Sequence, residues 1–341
     1  MRPVIKGQIL RLFLVNRSRH PKRGARSLGT HQSDKMVQRK SVHKGISTLE
    51  FLAVPKIQTP LNGLTVSSDE TLIWGVRTYV MGIINLTPDS FSGDGLDKDV
   101  SAAVDKALRF QEEGADILDI GAESTRPGHE QVSVDQELSR LIPALEAVSK
   151  RVKIPISVDT YKAEVARQAV DAGAVIINDI WGLKSEPEIA HVAADTGAGI
   201  ILMHNQLGTE YKNLLPNVVA SLKDSVDIAI NAGVSPENII IDPGIGFGKT
   251  PEQNLQVLKQ LEKLKPIGYP ILTGTSRKST LGLLLGLPPD QRLEGTAATV
   301  SLSIAGGADI VRVHDVKEMV RVCLVTDAVV RGWRPKGWTT S

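Results

Sequence analysis

Glu113-Gly-Ala-Asp-Ile-Leu-Asp-Ile-Gly121 packs the end of a helix, a tight turn and a strand into one short stretch. Gly114 suits the left-handed conformation that closes a helix, and the apolar run Ile117–Ile120 has the length of a buried strand. The same join recurs downstream, where Ala172-Gly-Ala174 leads into Val175–Ile177 and Gly306-Gly-Ala-Asp309 leads into Ile310–Val313. Working outward from these joins gives five more strand-like runs: Tyr79–Ile84, Ile156–Val158, Gly199–Met203, Ile239–Ile241 and Pro270–Thr273. Segments of helical period alternate with them: Ala102–Gln111, Val134–Val148, Tyr161–Ala172, Glu186–Asp195, Pro216–Ala232, Pro251–Leu264, Leu293–Ala305 and Val316–Val330. Eight such βα units over about 255 residues predict a closed TIM (β/α)8 barrel from about Tyr79 to Arg334. An open doubly wound sheet is the alternative, and it rarely needs eight evenly repeated units.

The rest of the chain sets the boundaries. Short apolar stretches between Leu52 and Trp74, with turn signals at Pro60, Asn62-Gly63 and Ser67-Ser68-Asp69, predict a hairpin over 52–75 that closes one end of the barrel, with Gly63 supplying a positive φ. Residues 51–341 are read as the barrel with its hairpin, and 1–50 as a basic, disordered extension. Met1 to Lys44 holds 12 Lys or Arg and one acid, which leaves 28 Lys or Arg against 37 acids for the remainder, so the net charge of +2 conceals an acidic domain and a basic tail. The tail's Arg, its Ser and its lack of acid also suit an organelle-targeting peptide, the minority reading. A cytoplasmic enzyme is expected. Cys323 is the only cysteine, which excludes an intramolecular disulfide and a cysteine-based zinc site. No run approaches the ~18 apolar residues of a membrane span. Without aromatic interleaving, the basic tail gives no case for nucleic-acid binding.

Barrel enzymes place their chemistry at the C-terminal strand ends, and here each apolar run is followed by polar residues. The first strand ends at Asn85, the second at Asp119 to Arg126, the third at Asp159, the fourth at Asn178 and Asp179, the fifth at His204, the sixth at Asp242, the seventh at Thr275 to Ser279 and the eighth at Arg312 to Asp315. Two carboxylates (Asp159, Asp242) and an amide (Asn178) suit the donor and acceptor edge of a flat nitrogen heterocycle, or alternatively a buried ladder between strands. Arg126, Lys278, Arg312 and His314 can neutralise phosphate oxygens. Together they call for a heterocycle that carries phosphate. Gly246-Phe-Gly-Lys-Thr250 resembles the end of a P-loop, but the required first glycine falls on Pro243. The seven histidines make no zinc-ligand pattern, whereas magnesium needs few protein ligands, and Ser90 and Ser276 lack a base partner for nucleophilic catalysis.

Across everything after the basic tail the chain resembles the dihydropteroate synthases. The resemblance lies in Met81-Gly-Ile-Ile-Asn-Leu-Thr-Pro-Asp-Ser-Phe-Ser92, Asp119-Ile-Gly-Ala-Glu-Ser-Thr-Arg-Pro-Gly128, Ser157-Val-Asp-Thr160, Ile177-Asn-Asp179, Leu202-Met-His204, Asp242-Pro-Gly-Ile-Gly-Phe-Gly-Lys249, Ser276-Arg-Lys-Ser279 and Arg312-Val-His314. It implies condensation of 6-hydroxymethyl-7,8-dihydropterin pyrophosphate with 4-aminobenzoate, with Mg2+ as cofactor and a homodimer as the assembly. By matching positions, Asp159, Asn178, Asp242 and Lys278 would hold the pterin, with Ile180, Met203 and Phe247 against its ring. Asn85 would bind magnesium, and Arg312 and His314 the pyrophosphate. Thr125, Arg126, Pro127 and Ser279 would receive 4-aminobenzoate, and Arg126, Lys278 and Asp242 would be the catalytic group. Two loops depart from the family pattern: the acid of Ser92-Gly-Asp-Gly95 is displaced by one position, and Asn205-Gln-Leu-Gly-Thr-Glu210 replaces the usual Met-Gln-Gly-Thr-Pro. The rivals are a pterin-binding methyltransferase serving a corrinoid protein, which does not need Ser276–Ser279 or the Arg312/His314 pair, and a non-catalytic pterin-binding protein, which would be expected to have lost part of the ring.

Overall fold

The computed structural model describes residues 63–67, 70–86, 96–123, 131–335 and 337–339, with the side chains of 96–99 left aside. By internal contacts the chain divides into 1–51, which lies outside the described residues, and 52–341. The described part of the second unit opens with a two-stranded ribbon, β1 (Gly63–Thr65) and β2 (Thr71–Ile73). The barrel strands follow: β3 (Tyr79–Asn85), β4 (Ile117–Gly121), β5 (Ile156–Asp159), β6 (Ile176–Asp179), β7 (Gly199–Met203), β8 (Ile239–Asp242), β9 (Leu272–Thr273) and β10 (Ile310–Val313). Between and after them run α1 (Leu96–Glu112), α2 (Val134–Ser149), α3 (Ala163–Asp171), α4 (Glu188–Thr196), α5 (Leu214–Asn231), α6 (Pro251–Lys259), α7 (Ser279–Leu285), α8 (Leu293–Gly306) and α9 (Val316–Val330).

The eight strands are all parallel and ordered β8-β7-β6-β5-β4-β3-β10-β9, and a parallel bridge between Ile241 and Ile271 joins the two ends of that order. The expected barrel is therefore the observed one. β9 is shorter than predicted because Pro270 has no N–H to give and the Ile271 N–H goes to the Asp309 side chain (3.2 Å) rather than to a ladder. Helix α7 was not foreseen, because its leucines are consecutive rather than periodic and Leu283, Leu284 and Leu285 stay exposed.

Each barrel strand buries both faces. The outward residues, such as Val80, Leu118, Val158, Ile177, Leu202, Ile241 and Val311, pack under the helices. The inward Met81, Ile117, Ile176, Ile201, Ile240 and Ile310 pack with Leu64, Leu72 and Trp74 of the ribbon, which fills the N-terminal mouth as expected. The turn falls between β1 and β2, at the signal that begins with Ser67 rather than at Asn62-Gly63, and there Val66 and Ser67 N–H both donate to the Glu70 carbonyl. Gly63 sits inside β1 and needs no positive φ. A Cβ there would lie 2.4 Å from the Leu72 carbonyl oxygen, so the glycine permits close pairing of the two strands. The expected hairpin start at Leu52 lies outside the described residues.

A buried belt joins the start of the first barrel strand to the last helix. The Thr78 N–H and hydroxyl both donate to Asp327 of α9 (2.7 and 2.8 Å), and Arg331 ion-pairs with Asp327 and Asp309 (3.0 and 3.6 Å).

Candidate active site

Alternation decides what reaches the C-terminal mouth. Two residues beyond the inward apolar layer, the same faces carry Asp119, Asn178, Met203, Asp242 and Arg312, while Asp159 pairs in register with Asn178, and Met203 with Asp242. Asp179 has the opposite parity. Its carboxylate accepts from the Trp181 and Leu183 N–H groups (2.8 and 2.6 Å), so it shapes the β6–α4 turn rather than the mouth.

Arg312 is the hub. Its Nε donates to Asp119 Oδ2 (2.5 Å) and its Nη2 to Asp159 Oδ2 (2.6 Å), while Asn178 Nδ2 donates to the same Asp119 oxygen (3.1 Å). The allocation by motif set Arg312 apart from Asp159. In the structure they are ion-paired, because a half-buried guanidinium takes the carboxylates within its reach. Asp119 is a residue that the motif allocation passed over, and its parity with Ile117 was the available signal. Asp119 Oδ1 and Asp159 Oδ1 are both buried with no hydrogen-bond partner among the described residues.

The titrations follow from that burial. Desolvation pushes Asp159 up to about 7, with Arg312 opposing and Asp119 adding to the rise. Asp242 is pushed up to about 6 by burial, against the Gly244 N–H (2.7 Å) and Lys278. Burial, then Arg312, brings Lys278 down to about 8, and Asp242 and Asp159 hold it from falling further. Arg312 is pulled down by burial, but Asp119 and Asp159 outweigh this and its charge is secure. His314 is brought down to about 3 by burial and by Arg312, Arg277, Lys106 and Lys278. Its surroundings therefore favour the neutral ring, where the sequence reading counted it among the cations. Ser276 Oγ accepts from the His314 backbone N–H (3.2 Å) and lies 3.0 Å from Nδ1, so this serine has an imidazole partner that the sequence did not reveal.

Lys278 is held from several sides. Its ammonium stands 4.1 Å from the centre of the Phe247 ring, and its stem runs along Gly246, where a Cβ would come within 2.9 Å of Cδ. Arg277, the preceding residue, has φ 58, a left-handed conformation costing about 1–3 kcal/mol in a non-glycine residue. The surroundings impose it: the Arg277 N–H donates to Thr296 Oγ1 (3.1 Å), its carbonyl accepts from Arg292 (2.8 Å), and its side chain pairs with Asp315.

The apolar wall predicted from Ile180, Met203 and Phe247 is a single cluster, completed by Tyr161 and Trp181. Tyr161 donates to Glu123 (2.9 Å), another connection that the motifs did not flag. Asn85 ends β3, half-buried, and Ser279 opens α7, exposed. Thr125, Arg126 and Pro127 lie outside the described residues, as do Asp89, Ser90 and Asp94. Among the described residues no group of three or more His, Cys, Asp or Glu could hold a metal ion. The single amide oxygen of Asn85 fits only a hard cation whose other ligands are phosphate oxygens and water.

A closed parallel barrel with buried, mutually shifted carboxylates and a lysine at its C-terminal mouth defines a small-molecule enzyme of the (β/α)8 class. Comparison with known proteins makes this specific. Residues 81–314 match the family described as pterin binding enzyme, and the chain belongs to that family. It is 54% identical over 258 residues to the dihydropteroate synthase of Clostridium beijerinckii, covering 75% of this chain and 96% of that one. Among solved structures it resembles the dihydropteroate synthase of Clostridium difficile in the presence of pteroic acid (48% identity, TM-score 0.74, 76% of this chain and 98% of that one). It also resembles that of Xanthomonas albilineans with 4-aminobenzoic acid (42% identity, TM-score 0.75, 81% and 100%).

Proposed function

We infer that the chain is a transferase that condenses 6-hydroxymethyl-7,8-dihydropterin pyrophosphate with 4-aminobenzoate, giving 7,8-dihydropteroate and pyrophosphate. The observation that carries this reading is the orphaned, buried Asp159 oxygen beside Asn178, with Asp242 on the same inner face of the barrel, in a chain of this family. A buried carboxylate oxygen without a donor is costly, and an amino-pyrimidine edge supplies donors. Asp159, Asn178 and Asp242 read that edge, and Met203, Ile180 and Phe247 cover the ring. Arg312, with His314, takes the pyrophosphate, whose negative charge competes with Asp119 and Asp159 for the guanidinium. Thr125, Arg126, Pro127 and Ser279 receive 4-aminobenzoate.

The bond from the pterin methylene carbon to the pyrophosphate oxygen breaks as the aniline nitrogen bonds to that carbon and sheds a proton. No protein nucleophile is needed. Asp159 and Asp242 stabilise positive charge that develops on the pterin, Lys278 helps to hold that ring, and Arg312 stabilises the departing oxygens. Magnesium, held by Asn85, would disperse pyrophosphate charge when bound. The methyltransferase alternative is not favoured, since Ser276–Ser279 and the Arg312/His314 pair are present.

The reading includes a homodimer. Leu302 of α8 and Leu324, Val325 and Val329 of α9 are exposed apolar residues that a second copy would cover. Sedimentation at micromolar concentration tests this, and a monomer throughout would remove it. No helix among the described residues is long and apolar enough to cross a membrane. The decisive experiment supplies pterin pyrophosphate, magnesium and 4-aminobenzoate and follows pyrophosphate and dihydropteroate together. Folded protein that releases neither would overturn the reading.

A further inference from the structure

The glycine-rich stretch whose spacing fails as a P-loop turns its lysine inward. Lys249 is 8% exposed, and its ammonium donates to His204 Nδ1 (2.9 Å), the Gly244 carbonyl (3.0 Å) and the Phe247 carbonyl (3.1 Å). All three acceptors are neutral. Burial brings Lys249 down to about 7 and His204 to about 3, so the neutral imidazole can accept through Nδ1 from the lysine in its charged form. A buried ammonium without a carboxylate partner is a poor way to stabilise a fold, because an apolar side chain of similar length fills the space without the desolvation cost.

What the ammonium joins is specific. Two acceptors belong to the loop after β8, which carries Phe247, and the third ends β7, where the His204 N–H also donates to the Asp242 carbonyl (2.8 Å). The 205–213 segment, which departs from the family pattern, fastens the same loop from the other side. The Tyr211 hydroxyl donates to the Gly248 carbonyl (2.6 Å), and Gln253 Nε2 donates to the Thr209 carbonyl (2.9 Å).

We propose that Lys249 is a positioning residue for the pterin half of the reaction: it ties the β8 loop to His204, so that Phe247 and the Lys278 ammonium resting on it are held over the pterin, and it keeps a cation near Asp242. The proposal rests on the functional reading above and identifies a group that the reading does not use. The charges facing Asp242 are Lys278 from the β9–α7 turn, Arg312 from β10 and Lys249 from its own loop, while β7 contributes only Met203 and a neutral His204.

Wild-type turnover tests the functional reading by itself, so the inference is tested in enzyme already shown to turn over. Lys249→Met is expected to lower kcat/KM for pterin pyrophosphate by about tenfold or more, with the KM for 4-aminobenzoate within about twofold of wild type. The acid limb of the pterin kcat/KM profile should also move to higher pH, since Asp242 loses one of its cations. Folded Lys249→Met with wild-type constants, or with both substrates affected alike and the acid limb unmoved, would make Lys249 a packing residue. If Lys249→Met does not fold, His204→Leu decides, because it removes one acceptor and leaves the lysine. The same split at smaller amplitude supports the proposal, and unchanged constants overturn it.

Discussion

At the N-terminal mouth the barrel strands present Met81, Ile117, Ile176, Ile201, Ile240 and Ile310 to an apolar ribbon. At the C-terminal mouth the same faces present Asp119, Asn178, Asp242 and Arg312, two residues further along. The backbone is the same and the pleat is the same, so the difference lies in what each end is asked to do. The apolar end contributes stability by removing hydrocarbon from water. The polar end gives up stability, since it buries carboxylates above their ordinary range and leaves some of their oxygens without donors. Stability and chemistry are thus separated along one strand length.

Substitutions at the two ends should therefore fail in different measurements. The largest effect is expected at the polar end, where Lys278→Ala and Asp242→Asn each lower kcat/KM by about 10²–10³-fold. Asp242→Asn should nevertheless melt higher than wild type at pH 8. The sign follows from its raised pKa: the wild-type carboxyl favours the fold when protonated, and that contribution is lost as pH rises through about 6, whereas the amide never ionises. A lower melting temperature would break the division proposed between the two ends. At the apolar end, Ile201→Ala should cost about 2–5 kcal/mol in denaturant unfolding, while the folded fraction keeps its kcat within about twofold. A large loss of kcat at full folding would show that the ends are mechanically coupled.

A smaller effect is expected from pH alone. With Asp159 pushed to about 7 and Asp242 to about 6, kcat/KM for the pterin should fall as pH is lowered from 8 to 5, because the protonated carboxyls no longer accept both N–H bonds. A flat profile over that range would remove the carboxylates from substrate reading. The smallest effect is expected from removing residues 1–50, which should leave unfolding and kinetics unchanged; loss of folding would show that the barrel needs its basic extension.

The same contrast explains what was legible in the sequence. Strand cores such as Gly199–Met203 and Ile310–Val313 and helix starts such as Val134 and Pro251 coincide with prediction, because apolar runs and helical periodicity signal locally. The ring was legible as a list, since each member follows an apolar run. Its wiring was not. Whether Arg312 sides with an anion or with Asp119 and Asp159, and whether His314 carries charge, depend on burial and on residues distant in the chain. Gly63 misled for a related reason: a glycine beside Asn reads as a turn, while the actual demand is space against Leu72. Lys249 was set aside with a failed motif because its three acceptors are visible only in three dimensions.

The belt that ties Thr78 to Asp327 spans 249 residues of chain. On a ribosome adding about 5–20 residues per second, the N–H and hydroxyl at the start of β3 wait roughly 12–50 s for their carboxylate. Until α9 emerges, the strand that begins the barrel has one edge unpaired, because β10 is also among the last pieces made. The nascent chain must therefore carry an open sheet edge through most of its synthesis, and the time that this edge stays open is set by translation rather than by the folding of the strands themselves.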